Sequence, residues 1–131
     1  MALAYNVTTR NAMLDAITTR AGASAKLRIY DGTRPATGGA ATTLLAELVC
    51  NATFAPAAAA GVLTLNAIAN DVSADATGTA SWFRIVQSDG TTHVLDGSVA
   101  ASGSDLNLST VSIVVGGPVS VTSFVITEGN G

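Results

Sequence analysis

Charge is what this chain has least of. Only 11% of its 131 residues are Asp, Glu, Lys or Arg, about half the share usual in a soluble domain. There is one lysine, Lys26, and two glutamates, Glu47 and Glu128. A soluble monomer ordinarily spreads such residues over its exterior to keep copies apart, so their scarcity predicts a surface covered by copies of itself or by a partner. Cysteine is nearly absent: Cys50 stands alone, which excludes an internal disulfide, and its place at the end of the run Leu44–Cys50 suits a small buried hydrophobe. No apolar run approaches the ~20 residues of a membrane span. Met1–Tyr5 has neither the basic flank nor the long apolar core of a secretory signal, which predicts a protein made and kept in a cytoplasm.

What is abundant is small. Ala (24), Thr (17), Gly (13) and Ser (11) fill 65 of 131 positions, and the length suits one domain with its own core. The few charges are unevenly placed. Residues 1–34 hold Arg10, Arg20, Lys26, Arg28 and Arg34 against Asp15 and Asp31, net +3, and residues 35–131 hold Arg84 against seven acids, net −6. A basic front and an acidic body suit head-to-tail association or docking on an acidic shell. Five dispersed cations are too thin a footprint for nucleic acid.

Met13, Leu14, Ile17 and Ala21 have helical spacing, with Thr8 or Thr9 as N-cap and Gly22 as stop. This predicts one amphipathic helix on an N-terminal arm, residues 1–24. From Lys26 the period falls to two: Leu27 and Ile29 alternate with Lys26, Arg28 and Tyr30 as in a half-buried strand. Thr43–Cys50 and Val62–Ala67 read as further strands, and Pro56 with Gly61 keeps the alanines 57–60 from persisting as a helix. Thr79–Val99 carries a hairpin signal around Ser88-Asp89-Gly90. A three-residue loop there sets Phe83 opposite Leu95 and Arg84 opposite Val94, a two-residue loop sets Ile85 opposite Val94, and the first matches apolar with apolar better. Leu106 with Leu108, Val111–Val115 and Val119–Thr127 complete seven or eight short strands. The fold class expected is all-β, a β-sandwich or jelly-roll-like domain over residues 25–131 with one N-terminal α-helix.

Residues able to do chemistry do not cluster. His93 and Asp96 are three apart, and in a regular strand they face opposite ways. No nucleophile elbow or phosphate-binding glycine loop is present. Asn70–Asp75 offers two carboxylates where a Ca²⁺ site wants six to eight oxygens, so its Asx residues read as turn formers and no metal or cofactor is expected. The candidates are instead interface residues: Arg10, Met13, Leu14, Ile17 and Arg20 on the arm, Trp82 on the hairpin, and Val119, Val121 and Val125 on the last strand. On that strand Val119, Val121 and Val125 share one face, with Phe124 and Ile126 on the other, so both faces call for cover.

The phrases LRIYDGTRPATGG at 27–39, ADATGTASWFRIVQSDGTTHVLDGSV at 74–99 and SGSDLNLSTVSIVVGGPVSVTSFVIT at 102–127, with the Ala-Thr-Gly-rich style around them, resemble small virion structural proteins of tailed bacteriophages and prophages. The resemblance covers nearly the whole chain. It implies a β-rich, non-enzymatic protein present in many copies, a capsid decoration or cement protein that self-associates and docks on a major capsid protein or on tail proteins, without nucleic acid or membrane, located in the virion. No catalytic residue carries over. A tail or baseplate component, a carbohydrate-binding module using Trp82 or Tyr30, and a small hydrolase are the alternatives, in that order.

Overall fold

The protein is described by a computed structural model over residues 4–121 and 124–127. Helix α1 runs Val7–Ala21. It starts one residue before the expected caps because Asn6 serves instead, its Oδ1 accepting the Thr8 N–H at 2.8 Å. Gly22 ends it at φ 69°, donating its N–H to Thr18 C=O. Nine strands follow among the described residues: β1 Lys26–Tyr30, β2 Leu44–Val49, β3 Val62–Thr64, β4 Gly78–Thr79, β5 Trp82–Val86, β6 His93–Ala100, β7 Leu106–Asn107, β8 Ser112–Ile113 and β9 Val125–Thr127. The fold is all-β with one N-terminal helix.

The main sheet has the order β2-β1-β5-β6-β7, and two small sheets pair β3 with β9 and β4 with β8. Alternation along β1 and β5 sorts the side chains of the main sheet. Leu27, Ile29, Phe83 and Ile85, with Leu48 of β2, are buried toward the core, where they meet Leu63, Leu65 and Phe124 from the second layer. The rings of Phe83 and Phe124 meet edge to face at 5.1 Å. β6 and β7 run parallel with only residues 101–105 between them, far fewer than a parallel crossover normally needs. The turn is closed by side chains: Asp105 Oδ2 accepts the Ser98 N–H at 3.0 Å and Asn107 Oδ1 the Ser104 N–H at 3.1 Å.

The hairpin register differs from both expected pairings. Phe83 faces Gly97, Arg84 faces Asp96, Ile85 faces Leu95 and Val86 faces His93, with Val94 as the extra residue of a bulge. The connection closes one step further out than Ser88–Gly90, by Gln87 N–H to Thr92 C=O at 2.9 Å. Asp89 holds that loop, accepting the N–H groups of Thr91 and Thr92 at 2.9 and 2.8 Å and the Thr92 hydroxyl. This register sets a cation against a carboxylate and a large ring against the one residue without a side chain. A Cβ on Gly97 would lie 2.4 Å from Phe83 Cε1.

The N-terminal segment is not a separate arm where it is described. Leu14, 1% exposed, and Ala21 belong to the core, with Ile17 packed against it. The apolar stripe is narrow, and polar side chains complete the docking. Asp15 Oδ1 accepts the Ala58 N–H at 2.8 Å, Asn11 Oδ1 accepts the Gly61 N–H at 2.9 Å, and Arg10 donates to Ala60 C=O at 3.3 Å. At its other end Arg20 donates to His93 C=O at 3.2 Å and receives Gln87 Nε2 on its own carbonyl at 2.7 Å. The alanine-rich loop, which forms no helix, thus finds in α1 the acceptors its backbone needs.

Candidate interaction surface

The outward face of the main sheet is closed by its own contacts. Glu47, Arg28, Arg84 and Asp96 lie side by side on β2, β1, β5 and β6. Two arginines directly opposite repel, and each is answered by the carboxylate beyond it. Arg28 Nε donates to Glu47 Oε2 at 2.7 Å, and Arg84 Nε donates to Asp96 Oδ1 at 2.7 Å. The Asp96 side chain is nearly buried. Burial alone would raise its pKa, but hydrogen bonds from Arg84 and from the Gly38 N–H outweigh that and hold it below the usual carboxylate range.

Trp82 is 1% exposed and is therefore corrected from interface candidate to core. It stacks on Tyr30 at 4.4 Å, donates Nε1–H to Asp31 C=O and Thr42 Oγ1 at 2.9 Å each, and lies under the Arg84 guanidinium at 5.2 Å. With Tyr30 also buried, neither ring offers a flat platform to a sugar. His93 Nε2 does reach Asp96 Oδ1, at 3.1 Å, although off the line of a hydrogen bond. Strand alternation fails here because the bulged Val94 returns His93 to the Asp96 face. Asp96 is already engaged by Arg84 and by the Gly38 N–H.

Other polar candidates are likewise engaged. Asp71 accepts the Glu47 N–H on Oδ2 at 3.0 Å and the Ser73 N–H on Oδ1 at 2.9 Å, and among the described residues no three His, Cys, Asp or Glu converge on a common point. The Cys50 thiol is buried, and burial pushes its pKa up to about 11, away from the reactive thiolate. Arg10 and Arg20 bond backbone carbonyls of their own chain. Leu14, Val119 and Val121 are buried within the chain, so these three also leave the interface list, while Met13 is exposed and Ile17 half-buried. Val119 is held by an isolated bridge to Asp71 rather than within a long strand. The expected strand Val119–Thr127 is reduced to β9, with Thr122 and Ser123 outside the described residues. Of the three valines on that segment only Val125, 43% exposed, reaches solvent.

Among the described residues the largest apolar exposure lies where sequence reading placed only loops and a strand. Val72 is 80% exposed, and Val114 and Val115 are 59% exposed each. Their two segments are laced together: Ala74 N–H to Gly117 C=O, Gly116 N–H to Ala74 C=O and Val115 N–H to Thr77 Oγ1, all at 2.9 Å. Backbone so anchored holds the valines in water instead of letting them fold inward. Three large apolar side chains are thereby exposed on two neighbouring, hydrogen-bonded segments. A second feature is a cleft of about 260 Å³ between β6 and β9, floored by Phe83 and Phe124 and bordered by Leu95, Gly97, Asp105 and Ile126. No family model matches the chain, and neither a curated protein nor a solved structure matches it.

Proposed function

We propose that this protein is a non-enzymatic structural component of a tailed-phage virion, a capsid decoration protein that acts by docking on the particle in many copies. The observation that carries the reading is the exposure of Val72, Val114 and Val115 on laced loops of a chain with few charges to keep neighbours away. The likeness of its phrases to small virion proteins supports the same role. Decoration needs a rigid small domain and an apolar contact set rather than a reaction centre, and the polar groups that looked chemical are spent on holding this fold together.

The test is co-sedimentation of the purified protein with phage heads lacking it, and separately with tails. Saturable binding to heads, reduced at least about tenfold by Val72→Asp with Val115→Asp, is the expected result. Those residues lie outside the core, so the variant should fold. Binding to tails alone would move the same role to the tail or baseplate. Failure to bind either particle, with the protein monomeric at high concentration, would overturn the reading.

A further inference from the structure

Two charged side chains are left without a partner among the described residues. Every other described carboxylate accepts a hydrogen bond from its own chain, and every other described cation is held by a carboxylate or a main-chain carbonyl. Arg34 and Asp75 are exposed, and neither side chain has such a contact. Arg34 sits on the loop 31–43, whose ends are joined by Asp31 N–H to Thr43 C=O at 3.3 Å. That loop is clasped to the sheet by Gly38 N–H to Asp96 Oδ2 at 3.1 Å, Arg84 to Gly39 C=O at 2.9 Å and the Ser81 hydroxyl to Gly32 C=O at 2.5 Å. A loop so held presents its arginine with little further ordering needed on contact. Asp75 follows Ala74, whose main chain is bonded to Gly116 and Gly117, so it stands on the same laced segments as the exposed Val72, Val114 and Val115.

We infer that the loop 31–43 of one copy docks on the Val72, Val114 and Val115 patch of a second copy, with Arg34 against Asp75 and with Pro35 and Ala36 toward the valines. This rests on the reading of those valines as a contact surface and names what covers them. The occupant follows from charge. The apolar patch carries an unpaired carboxylate, the clasped loop carries an unpaired guanidinium, and the two do not pair within one chain. A neighbouring copy satisfies both at once, and the chain has few other charges to hold copies apart. An exposed ion pair adds little affinity by itself. Burial of the valines supplies the affinity, and the two charges decide which surface meets which.

Sedimentation of the full chain over a range of concentrations tests this with Arg34→Asp, Asp75→Arg and their equimolar mixture. Each reversal alone sets like charges together and should weaken self-association at least about tenfold, with an unchanged melting temperature because neither side chain holds the fold. The mixture restores the opposite charges across every contact and should associate as tightly as the unmodified chain, a rescue that a merely structural disturbance would not give. If either reversal melts early, Arg34→Gln and Asp75→Asn carry the test: the chain with both should associate no more weakly than either alone. A monomeric unmodified chain at millimolar concentration, association unchanged by both reversals, or a mixture no tighter than its components overturns the inference. A chain that binds phage heads yet stays monomeric in solution overturns the contact between copies and leaves the docking role standing. Self-association broken by the reversals and restored in the mixture, in a chain that binds neither heads nor tails, upholds the contact and removes the virion reading.

Discussion

Arg84 and Asp96 are the residue pair on which the outer face of the sheet depends. Removing one partner of a nearly buried ion pair leaves a charge without compensation, so Arg84→Ala should destabilise the fold by about 3–5 kcal/mol, measured by denaturant unfolding. Because the folded pKa of Asp96 is depressed, its contribution is present at neutral pH and is lost as pH falls below the ordinary carboxylate value, about 3.9. Asp96→Asn should flatten the acid limb of the stability profile while lowering stability at pH 7. Gly97 is a second single-residue test. Its Cβ-free position accepts the Phe83 ring, so Gly97→Ala should cost about 1–3 kcal/mol by forcing that ring out of place. Sequence spacing exposed neither relation, since both depend on which residue of β6 faces which residue of β5.

At the scale of elements, α1 behaves as a clamp rather than an arm. Leu14→Ala should cost about 2–5 kcal/mol. Asp15→Ala and Asn11→Ala should cost about 1–3 kcal/mol each, because the Ala58 and Gly61 N–H groups lose their acceptors. Deleting residues 1–24 should therefore lower the melting temperature substantially, contrary to the behaviour expected of a detachable arm. The last segment divides in the same way. Val121→Asp places a carboxylate in the core beside Phe124 and should prevent folding, whereas Val125→Asp, on the exposed side of β9, should leave the fold intact. Circular dichroism with thermal melting separates the two outcomes.

Across the whole molecule, the scarcity of charge has a structural counterpart. Of the six basic residues, Lys26, Arg28 and Arg84 pair with Glu47 or Asp96, Arg10 and Arg20 bond backbone carbonyls, and Arg34 is exposed. Half of the basic residues are thus paired with carboxylates within the main sheet, and with so few charges in all, association should depend weakly on salt and strongly on the exposed valines. Sedimentation velocity with and without added salt, comparing the unmodified chain with Val72→Asp combined with Val115→Asp, checks this. A large loss of association in salt with no effect of the substitutions would reverse that ranking.

Local signals in the sequence were sufficient for the elements: the helix around Leu14, β1 at Lys26–Tyr30 to the residue, the hairpin around Asp89-Gly90, and the all-β class. These follow from periodicity, turn chemistry and caps, which act over a few residues. The pairings were not local. A bulge at Val94 shifted the hairpin and brought His93 to Asp96, Asp15 and Asn11 reached across more than forty residues to cap a loop, and the cleft is lined by residues of β6 and β9, which are far apart in the chain. Apolar character marked Trp82, Val119 and Val121 as residues needing cover but could not say whether the cover was the chain or a partner. Only tertiary packing decided that, because the same free energy of burial rewards either one.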